Sequence, residues 1–264
     1  TYDDVVLHLN KKSFNKNINK WNTIVLPVDL NKDQFTQAFG ANARLAVLTK
    51  LTRNQIQFET VEIAKKGNNE VVLDAYVPYI IYPTKDLANE ITSAYTAILH
   101  ETGAASESVE HKVTIAENHI DIPNVSLKKN DLFYGLDEKK WMLNLDKVKV
   151  ADKPGDSEIV TDGTLAAFGT FARTYGSEIA DTVTSFTVNK NKPIIEGRDN
   201  LKNCYFFHEG KMVYAGNKVR GLRGFSVWFK PYKNPTSGAA TSKFILDGID
   251  YTTDAVSYTH LRAH

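Results

Sequence analysis

Residues 203–215, NCYFFHEGKMVYA, leave this chain few choices of fold. Two apolar runs flank Glu209-Gly210, a dipeptide suited to a tight β-hairpin turn. Pairing the runs across that turn sets Tyr205 opposite Tyr214 and Phe207 opposite Met212 on one face. Cys204 opposite Ala215 and Phe206 opposite Val213 share the other face, and only His208 and Lys211 at the tip are left to solvent. A ribbon apolar on both faces needs cover on both, which puts it inside a packed β structure. In the next run Phe225, Val227 and Phe229 alternate with Ser226, Trp228 and Lys230, predicting a third strand.

The rest of the chain follows the same pattern. Strands are predicted at residues 4–10, 21–27, 44–51, 55–64, 70–76 and 78–82, with turns at 52–54 and 65–69. Ile56 and Phe58, followed after a break by Val61 and Ile63, suggest a bulge near Glu59-Thr60. Residues 91–100 fit a strand by composition and a helix by length. Residues 111–116 and 119–127 read as a hairpin around Glu117-Asn118. Further strands are expected within 131–150 and at 164–175, 182–188 and 243–246.

One helix stands out, near residues 31–39. Asn31 suits its N-cap, Gln34 occupies the capping-box position, Phe35, Ala38 and Phe39 share a face, and Gly40 supplies the stop. A helix of about two turns serves as a lid on a sheet, not as a layer. The expected fold class is therefore all-β, a β-sandwich or barrel-like arrangement of antiparallel sheets with one short helix. Residues 1–254 are expected to form one β-rich unit, the alternative being two lobes at about 1–101 and 108–254.

With 264 residues, 42% of them hydrophobic, the chain is long enough for a full core. A net charge of +1 argues against a nucleic-acid partner, which needs a basic excess. The single Cys204 forbids an internal disulfide and any multi-cysteine zinc site, and its strand context suggests a buried, inert thiol. No apolar run is long enough to span a membrane. The opening TYDDVVLHLN, without Met or signal peptide, reads as a mature region or excised fragment.

Several runs, taken in order, carry a resemblance: WNTIVLP (21–27), AFG (38–40), LAVLT (45–49), F-x-x-V (58–61), AYVPYIIYP (75–83), FGTFARTY (168–175) and YFFHEGKMVYAG with VRGLRGFSVWF (205–229). The series resembles a β-rich module of secreted and outer-surface proteins of Bacteroidetes-type bacteria. The likeness runs from about Leu7 to Gly248. It implies a non-enzymatic, adhesin-like module of undefined ligand at the cell surface or outside the cell; glycans or host or cell-surface proteins are the expected partners. It offers no catalytic residues. It implies core roles for Trp21, Phe58 and Phe229, backbone roles for Gly40 and Gly169, and strand punctuation by Pro78 and Pro83. The final run 256–264, VSYTHLRAH, resembles translated read-through of a transposase-based sequencing adapter, so residues 255–264 are expected to be non-native; the alternative is a real strand at 255–259.

No catalytic constellation, metal site or cofactor motif emerges. His111 and His119 could face each other across the expected hairpin and bind a metal with Glu110 or Glu117, but solvent-exposed strand histidines account for them more simply. The run Asp247-Gly248-Ile249-Asp250 and the run 152–156, DKPGD, lack the ligand series of a calcium loop and read as turns. There is no nucleophile elbow and no phosphate-binding glycine loop. Two carboxylates brought together by folding would suffice for a glycoside hydrolase, and the sequence nominates no pair. For a carbohydrate-binding module, Trp228, with Tyr232 nearby, is the candidate stacking platform. Against that, large aromatics in strands are mostly core.

Overall fold

Alternating apolar residues at 44–48, 56–58, 79–82 and 225–229 build the central layers of the molecule. The computed structural model describes residues 2–9, 17–86, 91–99, 107–115, 120–127, 132–135, 140–143, 160–161, 165–170, 185–187, 204–215, 225–231 and 242–252. In chain order the first strands are β1 (Tyr2–Leu9), β2 (Asn22–Ile24), β3 (Leu30–Asn31), β4 (Arg44–Thr52), β5 (Gln55–Thr60), β6 (Val71–Leu73) and β7 (Tyr79–Tyr82). Helix α1 (Lys32–Phe39) lies between β3 and β4. The middle of the chain gives β8 (Ile91–Leu99), β9 (Glu107–Ile115), β10 (Ile120–Leu127), β11 (Leu132–Gly135), β12 (Lys140–Leu143), β13 (Val160–Thr161), β14 (Leu165–Thr170) and β15 (Ser185–Thr187). The last group is β16 (Tyr205–His208), β17 (Lys211–Tyr214), β18 (Ser226–Pro231), β19 (Lys243–Leu246) and β20 (Ile249–Asp250).

The fold is all-β, and among the described residues no sheet closes into a barrel. The central sheet has seven strands in the order β2-β7-β4-β5-β19-β20, with β13 also paired to β4. A second sheet has five, β15-β14-β18-β16-β17. The pairs β1-β10, β3-β6, β8-β9 and β11-β12 form two-stranded ribbons.

Period-two alternation divides the core between the two faces of the central sheet. Leu45, Tyr79 and Ile81 point to one face, where Phe35, Ala38 and Phe39 of α1 and Ile120, Ile122 and Val125 of β10 cover them. Ala46, Leu48, Phe58 and Ile80 point to the other, against Ala167, Tyr205, Val227 and Phe229 of the five-stranded sheet. The molecule is thus layered as helix and ribbon, central sheet, second sheet. The sandwich expected from the sequence carries an extra layer.

The hairpin forms in the expected register, with Tyr205 opposite Tyr214 and Phe207 opposite Met212. Both of its faces are covered: Tyr205, Phe207 and Met212 pack inward, while Cys204, Phe206, Ala215 and Trp228 form a separate buried cluster on the outside. Its turn carries Glu209 at φ 48° and Gly210 at φ 81°, the left-handed pair of a type I′ turn. Helix α1 also forms as expected. Asn31 Oδ1 accepts from the Gln34 amide, and Gln34 Oε1 accepts from the Asn31 amide. The same Gln34 side chain donates to the carbonyls of Pro123 and Asn124, at 3.0 and 2.8 Å, which ties the helix to β10. Eight residues would barely hold a helix in isolation; these bonds and its buried face fix it here.

Other expectations are corrected. The bulge sits on β4, not near Glu59-Thr60: Leu48 pairs with Phe58 and Lys50 with Gln57, leaving Thr49 as the extra residue. That insertion returns Leu51 to the face of Ala46 and Leu48, where it is buried. The parity break after Phe58 marks instead the end of β5 and a 3-10 turn at Ile63–Lys65. Among the described residues β9 and β10 do not pair as the expected hairpin: β9 pairs with β8 and β10 with β1. The run that fitted either strand or helix contains a strand, β8 (Ile91–Leu99). Of the run 21–27 only Asn22–Ile24 joins the sheet. Residues 70–76 give the short β6, after which Tyr76 turns the chain with φ 63°. Strand β19 runs parallel to β5, β13 parallel to β4, and β1 pairs with β10, so segments on both sides of residues 102–107 share their sheets. Residues 253–264, including the expected non-native tail, lie outside the described residues.

Candidate functional site

Three side chains, Arg44 of β4, Tyr82 of β7 and Trp21 just ahead of β2, stand in a row at one end of the central sheet. Arg44 opens β4, and its register partner on β7 is Tyr82. Asn22 of β2 pairs with Ile81, which brings Trp21 alongside Tyr82 one step further out. The sequence fixes each position locally. The buried Asn22 amide donates to the carbonyls of Asn17 and Lys20, at 3.0 and 2.8 Å, and so shapes the turn that delivers Trp21. The Asn19 amide donates to the Pro83 carbonyl, holding that turn against the end of β7. Gly40, at φ 113°, lets the chain leave α1 and enter β4 close to Thr84 and Lys85.

Tyr82 lies two residues beyond Ile80, and Arg44 two before Ala46, so both continue the inner face of the central sheet. Trp21 is half-buried against the same inner cluster. The row therefore lies at the rim of the space between the two main sheets. Hydrogen bonds from Val25 N to the Phe225 carbonyl and from Val227 N to Thr23 Oγ1 join the sheets beside it. The β16–β17 turn closes over the preceding backbone: a Cβ at Gly210 would lie 3.1 Å from Lys20 Cβ.

The geometry is that of a cation held on aromatic rings. Trp21 and Tyr82 meet edge to face, with centroids 5.6 Å apart and planes at 68°. The Arg44 guanidinium carbon lies 4.9 Å from the Trp21 centroid and 5.8 Å from that of Tyr82. Such contacts contribute about 0.5–1 kcal/mol at exposed sites. Arg44 remains exposed, and among the described residues no carboxylate comes within ion-pair distance of it. The arrangement presents planar N–H donors to solvent from a fixed platform.

The expected platform is elsewhere and is closed. Trp228 is 2% exposed and packs with Cys204, Phe206 and Ala215. It does lie opposite Val227 and Phe229, as the alternation requires, but its face of the sheet is covered too, so its ring cannot stack on a sugar. Tyr232 lies outside the described residues. Cys204 is a free, buried thiol.

His208 is exposed at the hairpin tip, its Nε2 3.9 Å from a Glu209 oxygen. His111 lies on β9 opposite Tyr95, and His119 lies outside the described residues. Among the described residues no group of three His, Cys, Asp or Glu side chains is placed to hold a metal. Asp247 and Gly248 form a second left-handed turn, at φ 51° and 78°, and Asp247 accepts from the Thr60 amide and hydroxyl, both at 2.7 Å. The run at 152–156 lies outside the described residues. Asp29 and Asp74 are occupied in turn structure: Asp29 accepts from the Ala75 amide at 2.7 Å, and Asp74 accepts from the Tyr79 hydroxyl at 3.1 Å. Burial pushes that hydroxyl's pKa well above the usual tyrosine range.

The resemblance implied a core role for Trp21, which does pack against the inner cluster, and neither Tyr82 nor Arg44 was singled out as a site residue. The signal was their placement at strand ends, Trp21 after a polar turn, Tyr82 before Pro83 and Arg44 ahead of LAVLT. No family model matches this sequence, and no curated protein or solved structure matches it either. Among the described residues no helix is long and apolar enough to cross a membrane.

Proposed function

We propose that this chain is a non-enzymatic, glycan-binding β module of a bacterial cell-surface or secreted protein, and that it makes contact through Trp21, Tyr82 and Arg44. The observation that carries the reading is the exposed guanidinium held over two rings at the rim between the sheets. Aromatic rings beside fixed donors are what a saccharide needs, apolar contact for its C–H face and hydrogen bonds for its hydroxyls. The surface location rests on the resemblance of the motif series to outer-surface modules.

The test is binding to an immobilised panel of host and plant glycans. The wild-type chain should retain a subset, and Arg44→Ala should lose it at unchanged thermal midpoint, because Arg44 is exposed and removes little from the core. Silence of the wild-type chain across the panel, or full retention by Arg44→Ala, would count against the reading. Hydrolysis of any panel member, abolished by replacing one carboxylate, would overturn the non-enzymatic part.

A further inference from the structure

We infer that the ligand of the Trp21–Tyr82–Arg44 row is an anionic saccharide, whose carboxylate or sulfate is read by Arg44; this rests on the glycan-binding reading above. The platform itself points to charge. A neutral pyranose stacks on a bare ring face, but the Arg44 guanidinium already lies 4.9 Å over the Trp21 ring. The rest of that ring is packed against the inner cluster. A ligand approaching the row therefore meets the guanidinium first.

The guanidinium is also prepared for an anion. A free arginine side chain has many rotamers, and ordering it opposes binding. Here the two rings hold the fork before a ligand arrives. Among the described residues no carboxylate within ion-pair distance competes for its donors. A planar carboxylate matches the fork with two parallel charge-assisted bonds, and a sulfate ester offers the same pair of acceptors. Tyr82 is half-buried, its ring centroid 5.8 Å from the guanidinium carbon, so the part of the ring left to solvent flanks the anion. That pairing of ring and charge favours an acidic sugar over an acidic peptide.

The experiment measures binding to four probes: a galacturonan oligosaccharide, its carboxyl-reduced neutral counterpart, a sulfated galactan and polyglutamate. The proteins are wild type, Arg44→Gln and Arg44→Lys, each checked for an unchanged thermal midpoint. The expected result is binding to galacturonan, to the sulfated galactan, or to both, and which of them binds identifies the anion. That binding should fall at least tenfold in Arg44→Gln, persist in part in Arg44→Lys, weaken with added salt and be absent for the neutral polymer. Equal binding of the neutral counterpart overturns the charge assignment and leaves the glycan reading standing. Polyglutamate bound as tightly, with the same Arg44 dependence, overturns the saccharide assignment in favour of an acidic protein partner. Failure of every saccharide, charged or neutral, removes the glycan reading itself.

Discussion

Phe58 of the central sheet and Phe229 of the second sheet meet edge to face, with centroids 6.0 Å apart, and neither is exposed. Phe244 adds a second edge contact to Phe58 at 6.0 Å, and Phe207 meets Phe244 at 5.2 Å. The two sheets are thus joined by a continuous aromatic seam. Replacing Phe58 or Phe229 by alanine should cost about 3–5 kcal/mol. In a double-mutant cycle by urea unfolding, the pair should show a coupling of roughly 0.5–1.5 kcal/mol. Strict additivity would mean that the rings do not meet.

Gly40 is required twice over. Its φ of 113° is open to glycine, and a Cβ there would lie 2.9 Å from the Lys85 amide nitrogen. That amide and the one of Thr84 both donate to the Phe39 carbonyl, so the neighbour cannot move without releasing the helix end. Gly40→Ala should lower stability by about 1–3 kcal/mol, seen as an earlier urea midpoint.

The hairpin turn holds one residue that is not ideal for its backbone. Glu209 has φ 48°, where a long L side chain is disfavoured and asparagine is tolerated. Glu209→Asn should raise stability by up to ~1 kcal/mol. Gly210→Ala should do the opposite, given its φ of 81° and the Lys20 Cβ in the way. Thermal unfolding of the two variants should move in opposite directions.

Alkaline pH should weaken the fold through its buried tyrosines. Burial raises the pKa of Tyr79, Tyr205 and Tyr214 above the ordinary value of 10.0. Below that value folded and unfolded chains hold the same tyrosine protons, so stability is unaffected. Above it the unfolded chain loses protons that the folded chain keeps, and stability falls as pH rises toward the folded pKa values. Urea midpoints should be level from pH 8 to about 9.5 and then decline. Tyr79→Phe should flatten part of that decline, and at pH 8 should cost about 1 kcal/mol through the lost Asp74 bond.

What was legible in the sequence was local. The hairpin register follows from alternation and a turn dipeptide that lie within a dozen residues of each other. The capping box of α1 spans four residues and is read directly. Non-local pairing was not legible: β10 looked like the hairpin mate of the run before it, yet it pairs with β1, and β19 lies parallel beside β5. The Thr49 bulge escaped notice because a single inserted residue leaves the apolar composition of β4 unchanged. The candidate site was misassigned for a related reason. Alternation shows which residues share a face, not whether another layer covers that face. Trp228 shares its face with Cys204 and Phe206, whose apolarity already called for cover. The resemblance implied a core role for Trp21, and only the register of three strands shows it ending in a row with Tyr82 and Arg44.

The Asp247–Thr60 contact joins positions 187 residues apart, at the point where β19 lies down beside β5. Strand β5 can recruit β4 within moments of synthesis, but its other edge stays open until residues 243–246 leave the ribosome. At ~5–20 residues per second, that interval is on the order of 10–40 s. Throughout it an incomplete sheet carrying Ile56 and Phe58 is exposed to any passing strand, so yield in cells should depend on chaperone supply more than the stability of the finished molecule would suggest.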